Sequence, residues 1–160
     1  MQTSFSAFNE GHSGPEPTGR NDAMSTTSVR WVTGKQFVGT DARNHSVVLS
    51  GDDPAVGISP SQVLLIGLSA CSAYDVLDIM MKKRKPLTML EVIASGEQDP
   101  DPPWAYRRIH LKYRVSGKDL TQKTLAQAVE LSQQKYCSVA ATVRGVADIS
   151  SEIEIVPIPG

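Results

Sequence analysis

The segment from Ser61 to about Lys83 constrains this chain most. It has the grammar of one long helix: Ser59 and Pro60 suit the cap and the first turn, Lys82-Lys83-Arg84-Lys85 complements the negative end of the helix dipole, and Pro86 stops it. Yet Val63, Leu64, Leu65, Ile66, Leu68, Val76, Leu77, Ile79 and Met80 leave no clean polar stripe until its end. A helix that is apolar nearly all round has to be covered on every side. A bilayer is not the expected cover, because the longest apolar run, Val63 to Tyr74, is interrupted by Gly67, Ser69 and Ser72 and falls short of the ~18 residues a span requires. The expectation is a central helix in a soluble fold, with no membrane partner.

The cover has to come from a short chain. Its 160 residues amount to about one domain, and residues 1–28 contain no Val, Ile or Leu, so they are expected to form a disordered N-terminal extension and to leave 29–160 as the folded domain. A domain of about 130 residues buries somewhat under ~70% of its unfolded surface. That suffices for a core but is little to wrap such a helix, and a second copy of the chain would supply the rest.

The remaining pattern is mostly β. Arg30–Gly39 and His45–Ser50 read as strands around a turn at Asp41-Ala42-Arg43-Asn44. Met89–Gly96 alternates, and Arg107–Val115 alternates most clearly, with Ile109, Leu111, Tyr113 and Val115 on one face and Arg108, His110, Lys112 and Arg114 on the other. A second long helix is expected from Leu120 to about Tyr136, with Leu125, Ala128, Val129, Ser132 and Tyr136 on one face. It ends at Cys137; a short helix through Val143 and a last strand over Asp148–Val156 follow. The order β-β-α-β-β-α-β, with hairpin-like connections, predicts an α+β fold of two long central helices packed with antiparallel sheets.

Charge excludes several functions. Sixteen Lys+Arg against seventeen Asp+Glu give a net charge of −1, so nucleic acid is not an expected partner, and the basic run at Lys82–Lys85 reads as a solvated helix end. His12, His45 and His110 form no metal-spaced pair, and two cysteines are too few for an all-cysteine zinc site, so no metal is expected. There is no signal-peptide grammar, and unpaired thiols suit a reducing cytoplasm. Cys71, in the middle of the apolar helix, and Cys137, at the end of the second, remain to be explained. A free cysteine also serves as a small buried hydrophobe, and no CxxC motif decides between that role and a working pair. Asp75, one turn after Cys71, reads as structural, since a carboxylate there would oppose thiolate formation.

The words around the two cysteines are more specific. Leu65-Ile66-Gly67-Leu68-Ser69-Ala70-Cys71-Ser72-Ala73-Tyr74-Asp75-Val76 and Ala128-Val129-Glu130-Leu131-Ser132-Gln133-Gln134-Lys135-Tyr136-Cys137-Ser138-Val139-Ala140 resemble the cysteine signatures of the OsmC/Ohr family, the osmotically inducible and organic hydroperoxide resistance proteins. The likeness runs from about Arg30 to Val156 and is nearest to the OsmC-like branch. It implies an intertwined homodimer with the cysteines near the subunit interface. It also implies a thiol-dependent peroxidase acting on organic hydroperoxides, with Cys71 peroxidatic, Cys137 resolving, an external thiol or dithiol as reductant and no cofactor. Family peroxidases carry an Arg from the N-terminal hairpin and a Glu ten residues before the first cysteine, where this chain has Ser61. Arg43 is the candidate cation and His45 a second, pH-sensitive one, while Tyr74 and Tyr136 would line the substrate pocket with His45. The competing reading is a catalytically weak family member that binds an apolar small molecule or senses redox state through the pair.

Overall fold

Helix α1 forms over Pro60–Lys82, where its caps place it: the Ser59 hydroxyl accepts the Gln62 N–H at 3.4 Å, and Arg84 turns the chain out through a left-handed backbone (φ 55°). The computed structural model describes residues 25–51, 53 and 55–157. Most of the expected N-terminal extension, residues 1–24, lies outside the described residues.

Three strands precede α1, not two. β1 (Ser28–Thr33), β2 (Gln36–Thr40) and β3 (Ser46–Ser50) form an antiparallel sheet in that order. The stretch read as one strand over Arg30–Gly39 folds back at Gly34, whose φ of 50° a glycine adopts without a Cβ penalty, so that Thr33 pairs with Gln36. The turn between β2 and β3 lies where its composition placed it. The Asp41 carboxylate accepts the N–H groups of Arg43 (2.8 Å) and His45 (2.9 Å), and Asn44 takes the left-handed conformation.

The second sheet comprises β4 (Leu87–Gln98), β5 (Tyr106–Gly117) and β6 (Asp148–Ile155), in the order β4-β5-β6. β4 and β5 pair antiparallel, but β5 and β6 run parallel, so this sheet is mixed where antiparallel sheets were expected. The reason is the connection. Between β5 and β6 the chain passes through α2 (Gln122–Leu131), a π-helical turn (Ser132–Tyr136) and α3 (Ser138–Val143), and a helical crossover returns the chain to the end from which β5 started. The alternation of β5 holds as read: Ile109, Leu111, Tyr113 and Val115 are fully buried, while Arg108, Lys112 and Arg114 pair across the open face with Glu97, Glu91, Glu152 and Glu154 on the flanking strands.

The core lies between that sheet and the helices, with Leu68, Val76 and Met80 of α1 meeting the β5 row and Leu125, Ala128 and Val129 of α2. Only one side of α1 is buried this way. Leu64, Ile66, Leu77 and Met81 are 40–60% exposed, so within one chain the central helix is covered on one side, not all round. The first sheet also presents apolar side chains to solvent, with Val29, Trp31 and Val32 all more than half exposed. By length and composition alone α1 could cross a membrane. Its packing on β4 and α2, and the buried carboxylate of Asp75 at its centre, fit the core helix of a folded domain.

Truncating the fully buried Leu111 to Ala should cost about 2–5 kcal/mol in urea unfolding, whereas Lys112→Ala, one residue along on the ion-paired face, should cost no more than about 1 kcal/mol.

Candidate functional site

The helix read as continuous from Leu120 to Tyr136 changes its winding after Leu131. Its last five residues form a π turn, closed by the Cys137 N–H donating to the Ser132 carbonyl at 2.8 Å. The turn ends at Cys137, whose extended backbone (φ −71°, ψ 102°) starts α3 and whose sulfur accepts the Ala140 N–H at 3.3 Å as that helix's cap. Cys137 thus faces inward, fully buried, towards the flank of α1 that carries Cys71. The two sulfurs and a carboxylate oxygen of Asp75 all lie within 4.8 Å of one another. Residues 66 positions apart in sequence become neighbours because α1 and the α2–α3 junction pack together.

The two thiols differ in kind. Cys71 is half-buried, and burial pushes its thiol up; the Val139 N–H, the Cys137 thiol and the Ser138 hydroxyl (4.0 Å from Sγ) together outweigh that and hold it below the usual cysteine range. Cys137 is pushed up to about 11, first by burial and then by serving as donor to the Cys71 sulfur. The Asp75 charge raises both, as expected of a carboxylate beside thiols. Of the two sulfurs, Cys71 is therefore the one that gives up its proton more readily.

A buried polar network holds this pair in place. The Ser132 hydroxyl donates to Asp75 Oδ2 at 3.1 Å and lies 3.0 Å from Ser72 Oγ, which is 2.6 Å from the Tyr113 hydroxyl; Gln133 reaches the same hydroxyl at 3.4 Å. Burial pushes the Tyr113 phenol up, so it stays a neutral hydrogen-bonding group. Sequence reading placed Ser132 on the buried helix face and Tyr113 in the core but gave neither a role, and it passed over Ser72, Ser138 and Val139. For Ser132 the available signal was a polar side chain at a position that periodicity marks as buried; Ser138 is exposed and Val139 acts through its backbone N–H, so neither left such a signal.

Tyr74 and Tyr136 both line a groove of ≈620 Å³, with Ile79 and Leu131 and the charged Asp75, Asp78, Lys82 and Lys83, so the groove reaches the carboxylate beside the cysteines. Tyr136 also carries the Lys135 ammonium over its ring, 5.4 Å from the centroid. Arg43 and His45 sit elsewhere, on the β2–β3 turn. His45 Nδ1 is 3.0 Å from Asp41 Oδ2, and the Arg43 side chain is exposed. Neither side chain bonds to Cys71 or Cys137 among the described residues.

Residues 51–152 match the OsmC-like protein family. The chain is 34% identical over 128 residues to Protein YhfA of Escherichia coli, covering 80% of this chain and 96% of that one. Among solved structures, a hypothetical protein from Aquifex aeolicus is 28% identical with a TM-score of 0.73, over 84% of this chain and 99% of that one. The organic hydroperoxide resistance protein OhrB of Bacillus subtilis shares the fold at 17% identity, with a TM-score of 0.58 over 82% of this chain and 98% of that one. Family match and relatives agree: the chain belongs to the OsmC-like protein family.

Proposed function

We propose that this protein is a thiol-dependent peroxidase that reduces organic hydroperoxides. The observation that carries this reading is the unequal pair: two sulfurs within 4.8 Å on separate elements, one held below the usual thiol range and the other about 11. A thiolate is the attacking species. The Cys71 thiolate attacks the distal peroxide oxygen; the O–O bond breaks, an alcohol leaves after protonation, and Cys71 becomes a sulfenic acid. The Cys137 sulfur then displaces that hydroxyl, giving the Cys71–Cys137 disulfide and water. Two electrons from an external thiol or dithiol restore the pair. The resistance proteins that share the fold support the substrate class.

The reading includes a homodimer. The exposed apolar side of α1 and the exposed apolar residues of the first sheet are two uncovered surfaces of one chain, and each could cover the other's counterpart in a second copy. Such an arrangement would bring the β2–β3 turn, with Arg43 and His45, to the site of the other copy, where Arg43 would supply a cation near Cys71. The reading also places the enzyme in the cytoplasm. A second reading, a weakly catalytic binder or redox sensor, is favoured by Ser61: its hydroxyl lies 3.2 Å from Ser59 Oγ at the helix cap, where family peroxidases have a carboxylate.

With cumene hydroperoxide and a dithiol, the wild type should consume peroxide and Cys71→Ser should not; equal loss in both would leave only the second reading. Cys137→Ser should still react once, stopping at a sulfenic acid that mass spectrometry detects as one added oxygen. The inequality of the thiols predicts their alkylation order: iodoacetamide should modify Cys71 already below the pH at which free cysteine reacts, and Cys137 only as the pH approaches 11. Sedimentation should give twice the chain mass, falling to that of one chain when Ile66 and Leu77 are replaced by Asp.

A further inference from the structure

We propose that the reduced site binds one Zn²⁺ ion through Cys71, Cys137 and Asp75, and that the bound ion reversibly blocks the pair. This goes beyond the peroxidase reading and does not depend on it. The expectation of no metal rested on spacing along the sequence, where two cysteines and three scattered histidines form no pattern. The fold supplies a different donor set. Cys71 and Asp75 stand one helical turn apart on α1, and the α2–α3 junction brings in Cys137, so three ligand atoms converge within 4.8 Å. An ion at the ordinary Zn–S and Zn–O distances holds such donors about 3.5–3.8 Å apart, a closure of at most about 1.3 Å from the separations found here.

The Asp75 carboxylate favours a cation here, and the two lysines of the adjoining groove are engaged elsewhere, Lys82 with Asp78 and Lys83 with Gln127. Asp75 is 7% exposed, and its Oδ2 is held by the neutral Ser132 hydroxyl; no lysine, arginine or histidine among the described residues is ion-paired with it. A buried carboxylate thus lies beside a nucleophilic sulfur without a counter-ion among the described residues. Two sulfurs and one carboxylate suit borderline-soft Zn²⁺ better than Mg²⁺ or Ca²⁺, which take oxygen donors. Asp75 also lines the groove, which gives an ion a path from solvent. Binding replaces the thiol protons with the metal, so protons are released and the Cys71 lone pair that would attack a peroxide is occupied. No electron moves, and a chelator reverses the block.

The test is anaerobic titration of the reduced full-length protein with Zn²⁺ by calorimetry, and with Co²⁺ to read the thiolate-to-metal absorption band in the near ultraviolet. The expected result is one ion per chain with proton release, lost in Cys71→Ser and in Cys137→Ser and weakened at least about tenfold in Asp75→Asn. Because Asp75→Asn removes a buried charge and could disturb folding, two further arms need no such change: the disulfide form of the wild type should not bind, and Asp75→Glu should retain binding. Absence of stoichiometric binding at micromolar Zn²⁺, binding that persists in the disulfide form, or equal affinity in a folded Asp75→Asn protein would each overturn the proposal. All of these readouts are taken without peroxide, so a failure of turnover leaves them standing.

Discussion

The site depends on one hydroxyl. Ser132 lies where α2 gives way to the π turn, and its Oγ bridges Asp75 and Ser72 on the facing side of α1. In a core of Leu68, Val76, Ile109 and Leu125, burying two serines, a tyrosine hydroxyl and a carboxylate is costly unless each finds a partner, and no buried side-chain nitrogen or oxygen among the described residues lacks one. Satisfying them fixes α1 against the end of α2 in one register. A helix sliding by one position would leave these groups unpaired, so the network works as a locating pin where aliphatic packing alone would tolerate adjustment. The π turn has the same effect. Its extra residue rotates Cys137 inward and lets the chain restart as α3, whose first residues bring the Val139 N–H and the Ser138 hydroxyl to the Cys71 sulfur.

This arrangement sets up an internal opposition. Hydrogen bonds from the α3 segment draw Cys71 towards the thiolate, while burial and the Asp75 carboxylate resist it. Asp75 is held for structural reasons, through Ser132, yet its charge bears on both sulfurs. Any cation that reaches the site, from a second copy of the chain or from solution, acts directly on that balance. The same open side of α1 that makes one chain look incomplete also borders the groove beside the cysteines, so assembly and chemistry meet on one helix.

Much of the frame was legible in the residues. The caps of α1 are local chemistry and hold to within a residue of the reading, and the alternation of β5 separates its buried and ion-paired faces residue by residue. The turn at Asp41 follows from a short side chain bonding its own backbone. What was not legible has specific causes. Gly34 splits one apparent strand into two because a single residue with positive φ reverses the chain without interrupting the run of strand-forming residues. β6 runs parallel because its direction is set by how many helices intervene before it, which no strand-length window contains. The π turn leaves no mark in periodicity, since its first residues continue the α-helical spacing of Leu125, Ala128 and Val129.

For the site, the sequence by itself determined the participants that are coded locally: two cysteines in family-like words, each on or at the end of a long helix, and a central helix too apolar for one small chain to cover. Tertiary structure alone decided that the two sulfurs meet, that Asp75 joins them, that Val139, Cys137 and Ser138 draw Cys71 towards the thiolate, and that Arg43 and His45 make no bond to either sulfur among the described residues. The physical reason is that helices and turns are stabilised by interactions a few residues apart, whereas the state of a thiol is set by whatever groups packing brings within a few ångströms, and those lie far along the chain.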